Sequence, residues 1–327
     1  MKNWKCPDRF RTFVRYGVIA IVMFISFALI CPQAVQAEYF LDELVGSTGE
    51  LFFIEHNLPG LVIGAVRNSE ISIQGFGKVV DACDDKCDKC DNKCKEPDGD
   101  TIIRIGSITK AFNGEVLAHL VARNAVQFTD PITKTVPEIA ANAKADLGRI
   151  RLIDLATHSG GLLREVPRKP GQEKEPMTIH DFTNWLNKEP LLFKPGKAVH
   201  YSNFGFDLLA LGLSRAAKEP FSLLVQRYIT DPLNMKDTVF VLSEEQKKRF
   251  MRGHGIDGKI MEEIPAGSTV TGGAGGLYST PRDLLKWMQW HLDSFNQTGA
   301  EARQLDHAVY LMRDGLTTVS GVEKMDA

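Results

Sequence analysis

In the stretch "IRIGSITKAFNG", residues 103–114, Ser107 stands three positions before Lys110. On a helix these two positions share a face, so the Lys110 ammonium can reach the Ser107 hydroxyl and activate it as a nucleophile. The chain then turns into a helix at Ser107. There, free backbone N–H groups and the helix dipole favour negative charge, so the Ser107 N–H is a natural donor to an oxyanion. The bland alternative is that Ser107 is only an N-cap, worth about 1 kcal/mol. A Ser-x-x-Lys string is common, and alone it decides nothing. A second candidate follows about ninety residues later, where Tyr201-Ser202-Asn203 lies between a Pro-Gly loop and a long apolar-periodic segment. Capping explains Ser202 or Asn203 there but leaves Tyr201 unexplained. A tyrosine held beside Ser107 and Lys110 can take a proton and later return it to a leaving group.

Cys83, Cys87, Cys90 and Cys94 form a third group, spaced C-x3-C-x2-C-x3-C about Asp88-Lys89. A hairpin turning at those two residues sets Cys87 opposite Cys90 and Cys83 opposite Cys94, all on one face. That pattern suits nested disulfides in an oxidising compartment. A four-thiolate zinc site is the alternative, since C-x2-C is a common zinc spacing, although this cluster is compact for one. A redox pair is the third reading. The cluster belongs to a surface insertion at 81–100 and is assigned no catalysis.

These groups need elements to hold them. Apolar residues at Ile108, Phe112, Val116, Leu117, Leu120 and Val121 follow a helical period on a mostly buried helix. Residues 61–79 read as two strands broken at Arg67-Asn68-Ser69, a hairpin preceded by a short helix. Further helices are predicted over 150–157, 179–187, 203–218, 221–230 and 281–292, with Pro and Gly at their junctions. A lone hairpin is marginal without more strands or a covering helix, and no late strand stands out as its partner.

The 327 residues are 43% hydrophobic and 24% charged, which is enough for a sizeable core. The formal charge of −2 offers no basic surface for nucleic acid. Lys2, Lys5, Arg9, Arg11 and Arg15 precede an uncharged, mostly apolar run over 16–31, and Val35 and Ala37 fit a signal-peptidase site. Residues 1–37 are therefore read as a signal peptide cleaved after Ala37, which makes the protein periplasmic or secreted. Contact with a membrane would come only through that segment if it stayed uncleaved; the run is short for a span, which needs about 20 residues.

"SITK" followed by "YSN" resembles the serine β-lactamase and penicillin-binding-protein superfamily in its class C branch. The segments "LATHSGGLLREVP", "PLNMKDTVF" and "AGGLYSTPRDLLKWMQ" are similar to those of the class C-related D-alanyl-D-alanine carboxypeptidase/endopeptidases. The likeness runs over roughly residues 45 to 325, apart from the cysteine insertion. It implies an α/β (α+β) fold of the β-lactamase/transpeptidase type, an antiparallel sheet flanked by helices with a helical subdomain. It also implies that Ser107 is the acylated nucleophile, Lys110 its activator and Tyr201 the base, with Asn203 contacting the substrate amide and Lys110. His158, in "ATHSGG", matches a structural loop rather than a catalytic group. The substrates implied are peptidoglycan stem peptides ending in D-Ala-D-Ala, and β-lactams, with no cofactor. A β-lactamase or esterase using the same residues is the alternative enzyme.

One family element is not found. The third motif, Lys-Thr-Gly or His-x-Gly on a late strand, binds the substrate carboxylate and leads to the second oxyanion donor. "VTGGAGG" at 270–276 carries no cation at its head and fits the Gly-rich stretch before the helix at Pro281 instead. The expectation is a domain over 38–327 that is incomplete, its closing C-terminal strands missing. Loss of one oxyanion donor typically lowers turnover by 10²–10³. A catalytically inactive remnant that binds penicillin or cell wall is therefore a further alternative.

Overall fold

The computed structural model describes residues 40–79, 95–139, 147–167, 177–255, 259–261 and 272–296. The leader, the four cysteines and residues 297–327 lie outside the described residues. Helix α1 covers 40–55 and is followed by the strands β1 (Gly60–Arg67) and β2 (Glu70–Gly77). The short β3 (Ile103–Arg104) leads through a 3-10 turn into α2 (Thr109–Ala122). Then come α3 (Leu152–Ala156), α4 (Ile179–Lys188), α5 (Asn203–Ala217), α6 (Phe221–Val225) and α7 (Glu244–Lys247). The segment closes with α8 (Gly272–Gly275), β4 (Tyr278–Ser279) and α9 (Pro281–Asn296).

β1 and β2 form the antiparallel hairpin expected from the sequence, in a register running from Gly60↔Gly77 to Arg67↔Glu70. Its two-residue turn has positive φ at both Asn68 (48°) and Ser69 (68°). That is the backbone whose twist matches the strands, and Asn adopts it readily. No third strand pairs with this hairpin among the described residues; helices cover its two faces instead. Leu61, Ile63 and Phe76 share the face towards α1, where Phe53 and Phe76 stack at 6.1 Å. A Cβ at Gly49 of α1 would sit 2.4 Å from the Phe76 ring, so only glycine allows this approach. On the opposite face, Gly64 lies against Leu285 of α9. A late strand does exist. It is β4, and it pairs with β3 through Ile103↔Ser279 and Arg104↔Tyr278. Tyr278 also exchanges backbone hydrogen bonds with Val239, so two strand residues tie three distant segments together.

α2 is central. Phe112, Val116 and Leu117 are fully buried, and Thr109, Lys110, Asn113 and Glu115 are buried with them. The helical subdomain packs Ile132, Leu152, Leu155, Phe182, Leu186, Phe204, Leu208 and Leu209 into one continuous core with α2. The core fixes α2 against α5 and α8, and the candidate chemistry lies at their meeting point.

Candidate active site

Gly106 has φ +51°, a left-handed conformation that costs an L-residue roughly 1–2 kcal/mol and a glycine little. It turns the chain from β3 into the 3-10 turn Gly106–Ile108, which runs straight into α2. Ser107 is exposed on this turn, while Lys110, one turn on, is buried. The N-cap position of α2 is Ile108, with no side-chain cap. The Ser107 hydroxyl therefore does not cap the helix: it accepts from Lys110 Nζ at 3.1 Å and from Tyr201 Oη at 2.7 Å. Lys110 Nζ also donates to the Ala274 carbonyl at 2.6 Å.

The second motif comes from the start of α5. Ser202 is the cap here: its Oγ accepts from Gly205 N at 2.8 Å and donates to Leu163 O at 2.6 Å. The Arg164 carbonyl accepts from Asn203 N at 2.9 Å and Phe204 N at 3.1 Å. Residues 163–165 are thus stitched onto the α5 N-terminus, and Tyr201, just outside it, is aimed at Ser107. His158 fixes the ring from the side. It stacks on Tyr201 at a centroid distance of 4.4 Å, and its Nδ1 accepts from Ser202 N at 3.0 Å. Asn203 stands at the site but is not bonded to Lys110. Its Nδ2 donates to Glu165, and its Oδ1 is buried with no hydrogen-bond partner.

Electrostatics follow from this packing. Burial lowers the Lys110 ammonium below its usual value, with Tyr201, Asp207 and Glu165 opposing the shift. Burial alone would raise the Tyr201 hydroxyl. Hydrogen bonds to Lys110 and Ser107 and the charges of Lys110 and Arg164 outweigh it, so the net shift is down. Both groups therefore give up a proton more readily than in water, which suits a pair that must take one from Ser107. His158 is pushed down to about 3, chiefly by burial and then by Lys110, His200 and Arg164, and stays neutral. Burial also raises Asp207 well above the usual carboxylate range. Its Oδ1 accepts from Ala274 N at 3.0 Å, so Ala274 links Asp207 to Lys110 through its N–H and its carbonyl. Asn113 Nδ2 completes the clamp on α8 with bonds to Phe206 O at 2.9 Å and Gly273 O at 3.3 Å.

Ser107, Lys110, Tyr201 and Asn203, selected from the sequence, thus converge on one place. Cys83, Cys87, Cys90 and Cys94 lie outside the described residues. The stretch at 272–275 is a helical turn, in keeping with its rejection as the family's third motif, yet it supplies the carbonyl that holds Lys110. Three contributors escaped the sequence reading. Asp207 left a usable signal, a lone acid in the apolar "NFGFDLLALGL", four positions from Asn203 and so on the same face. Glu165 and the Ala274 carbonyl left none. Among the described residues no group of three or more His, Cys, Asp or Glu side chains could hold a metal ion, and no helix is long and apolar enough to cross a membrane.

The β-lactamase family pattern matches residues 38–324. The chain is 35% identical over 299 residues to the D-alanyl-D-alanine-carboxypeptidase/endopeptidase AmpH of Escherichia coli K12, covering 89% of this chain and 72% of that protein. A β-lactamase of Pseudomonas fluorescens is 24% identical over 287 residues, 86% of this chain and 74% of the relative. Among solved structures, a β-lactamase/D-alanine carboxypeptidase from Yersinia pestis superposes with a TM-score of 0.67 at 30% identity, over 81% of this chain and 72% of that one. A class C β-lactamase from Rhodobacter sphaeroides gives a TM-score of 0.66 at 22% identity, over 81% and 69%, a likeness of fold.

Proposed function

Since the chain belongs to the β-lactamase family, we propose that it is a serine hydrolase that cleaves peptides ending in D-Ala-D-Ala through an acyl-enzyme on Ser107. One observation carries the reading: Ser107 Oγ is held at once by the Lys110 ammonium at 3.1 Å and the Tyr201 hydroxyl at 2.7 Å. A serine used only for structure has no need of two such partners at an exposed position. In the proposed step, Ser107 Oγ attacks the penultimate D-alanine carbonyl carbon. Tyr201, whose hydroxyl is shifted down, first gives its own proton to solvent, and the phenolate beside the Lys110 ammonium then takes the Ser107 proton. The tetrahedral oxyanion is stabilised by the Ser107 N–H at the start of the 3-10 turn. Collapse breaks the C–N bond, and the terminal D-alanine leaves with that proton on its amine. Water attacks the ester by the same route, giving the shortened peptide and free Ser107.

The name of the E. coli relative supports carboxypeptidase and endopeptidase action, and that of the Yersinia structure supports carboxypeptidase action with β-lactamase kinship. Penicillins, which present a reactive amide to the same serine, are proposed as acylating ligands. The basic and apolar leader, outside the described residues, supports a periplasmic location, where peptidoglycan is found. Incubation with an acyl-D-Ala-D-Ala peptide tests the function. The expected result is D-alanine release that vanishes in Ser107→Ala. Equal release by wild type and variant, or no release by a wild-type chain that is acylated by neither peptide nor penicillin, would overturn it.

A further inference from the structure

The proposed substrates are anions, so a cation beside Ser107 bears on which of them bind. Lys110 is unsuited: it is buried, and its ammonium already serves Ser107 and Ala274. Arg164 differs. It is exposed, and its guanidinium lies 4.9 Å from the centroid of the Tyr201 ring, the ring whose hydroxyl touches Ser107. Its backbone is anchored, because the Arg164 carbonyl accepts from both Asn203 N and Phe204 N at the head of α5. Yet among the described residues its guanidinium makes no hydrogen bond and no ion pair. The neighbouring Glu165 accepts instead from Asn203. Contact with the Tyr201 ring keeps the guanidinium beside the site, and a guanidinium with no other ion pair fits a carboxylate in bidentate fashion.

We propose that Arg164 is a substrate-binding residue that takes a carboxylate of the acyl donor beside Ser107, making the site selective for anionic peptides. The proposal rests on the function read above and adds the residue that sets its charge preference. Two carboxylates could be the one bound: the C-terminal carboxylate of the leaving D-alanine, or an acidic group on the acyl side of the scissile bond.

The test is a four-substrate comparison on the full chain: N-acetyl- and N-succinyl-D-Ala-D-Ala, each as the free acid and as the C-terminal amide. kcat and KM are measured for wild type, Arg164→Gln and Arg164→Lys. Wild type is expected to prefer an anionic member over its neutral counterpart by about tenfold in kcat/KM, mostly through KM, as for one charge-assisted hydrogen bond. Arg164→Gln is expected to lose that preference, and Arg164→Lys to keep part of it. Loss confined to the acid/amide pair assigns the leaving-group carboxylate, and loss confined to the succinyl/acetyl pair assigns the acyl side. A change in Tyr201 basicity would slow all four substrates alike and leave the ratios unmoved. An unchanged ratio in Arg164→Gln, or no charge preference in wild type, overturns the proposal. Penicillin adducts measured by intact mass separate this from a failure of the underlying reading, in which Ser107 is not acylated in any variant.

Discussion

Lys110 and Tyr201 both donate to the Ser107 oxygen, so under the proposed mechanism single substitutions should have large and unequal effects. Ser107→Ala removes the proposed nucleophile and should abolish covalent labelling. Lys110→Ala leaves the serine but removes the buried cation that holds its oxygen; acylation should slow by about 10³-fold, within the range for lost general acid–base help. Stopped-flow acylation measures this, and a wild-type rate in Lys110→Ala would exclude the assigned role. His158 makes a different prediction, one of stability. Its ring is neutral in the fold, with a value of about 3 against 6.5 when unfolded. Between those values the unfolded chain binds the extra proton, so stability must fall as pH drops from 6.5 towards 3. At pH 4.5 the loss relative to pH 7 from this residue is roughly 2–3 kcal/mol. His158→Asn accepts the left-handed backbone of this position (φ +57°) and does not titrate. Urea unfolding should show the variant weaker at pH 7, through the lost stacking, but less acid-sensitive; an identical pH dependence would show that His158 is not the group responsible.

At the scale of elements, the site is the junction of α2, the head of α5 and the turn α8. Asp207 joins the last two, and its raised carboxyl is a cost at neutral pH. The native state binds the proton more tightly, so stability falls as pH rises from the unfolded value of 3.8 towards the raised one. Asp207→Asn keeps an acceptor for Ala274 N without that cost. It should be more stable than wild type at pH 7, with the gap closing below about pH 3.8, as calorimetry would detect. Much of this layer was legible beforehand. The apolar period found α2 and α5, Asn68-Ser69 found the hairpin, and Ser-x-x-Lys with Tyr-x-Asn found the site. What escaped was contact rather than pattern: the bond of Lys110 to a backbone carbonyl 164 residues away has no signature in residue types. A covering helix is one of the two supports that the sequence reading allows the hairpin, but Gly49 and Gly64, which let two helices approach its faces, do not announce their neighbours.

For the molecule as a whole, α9 links the hairpin to α2, the helix that follows Ser107. It packs on β1 and meets α2 through Trp287, which stacks on Phe112 at 4.5 Å and donates to Glu115 at 2.7 Å. Glu115 is fully buried with His119 and His291 beside it. Trp287→Phe keeps the stack but removes the donor to a buried carboxylate, and should cost about 1–3 kcal/mol in denaturant unfolding. A change below a few tenths would mean that the histidines alone satisfy Glu115. All of these elements serve one claim, that the assembled fold presents Ser107 as a nucleophile. The most direct measurement is the intact mass of the purified protein after incubation with a penicillin, beside Ser107→Ala. The wild type is expected to gain the mass of one penicillin, or to consume the penicillin when the adduct clears too fast to see, and Ser107→Ala to do neither. A folded wild-type chain that gains no mass and leaves the penicillin intact, or an adduct that persists in Ser107→Ala, would contradict it.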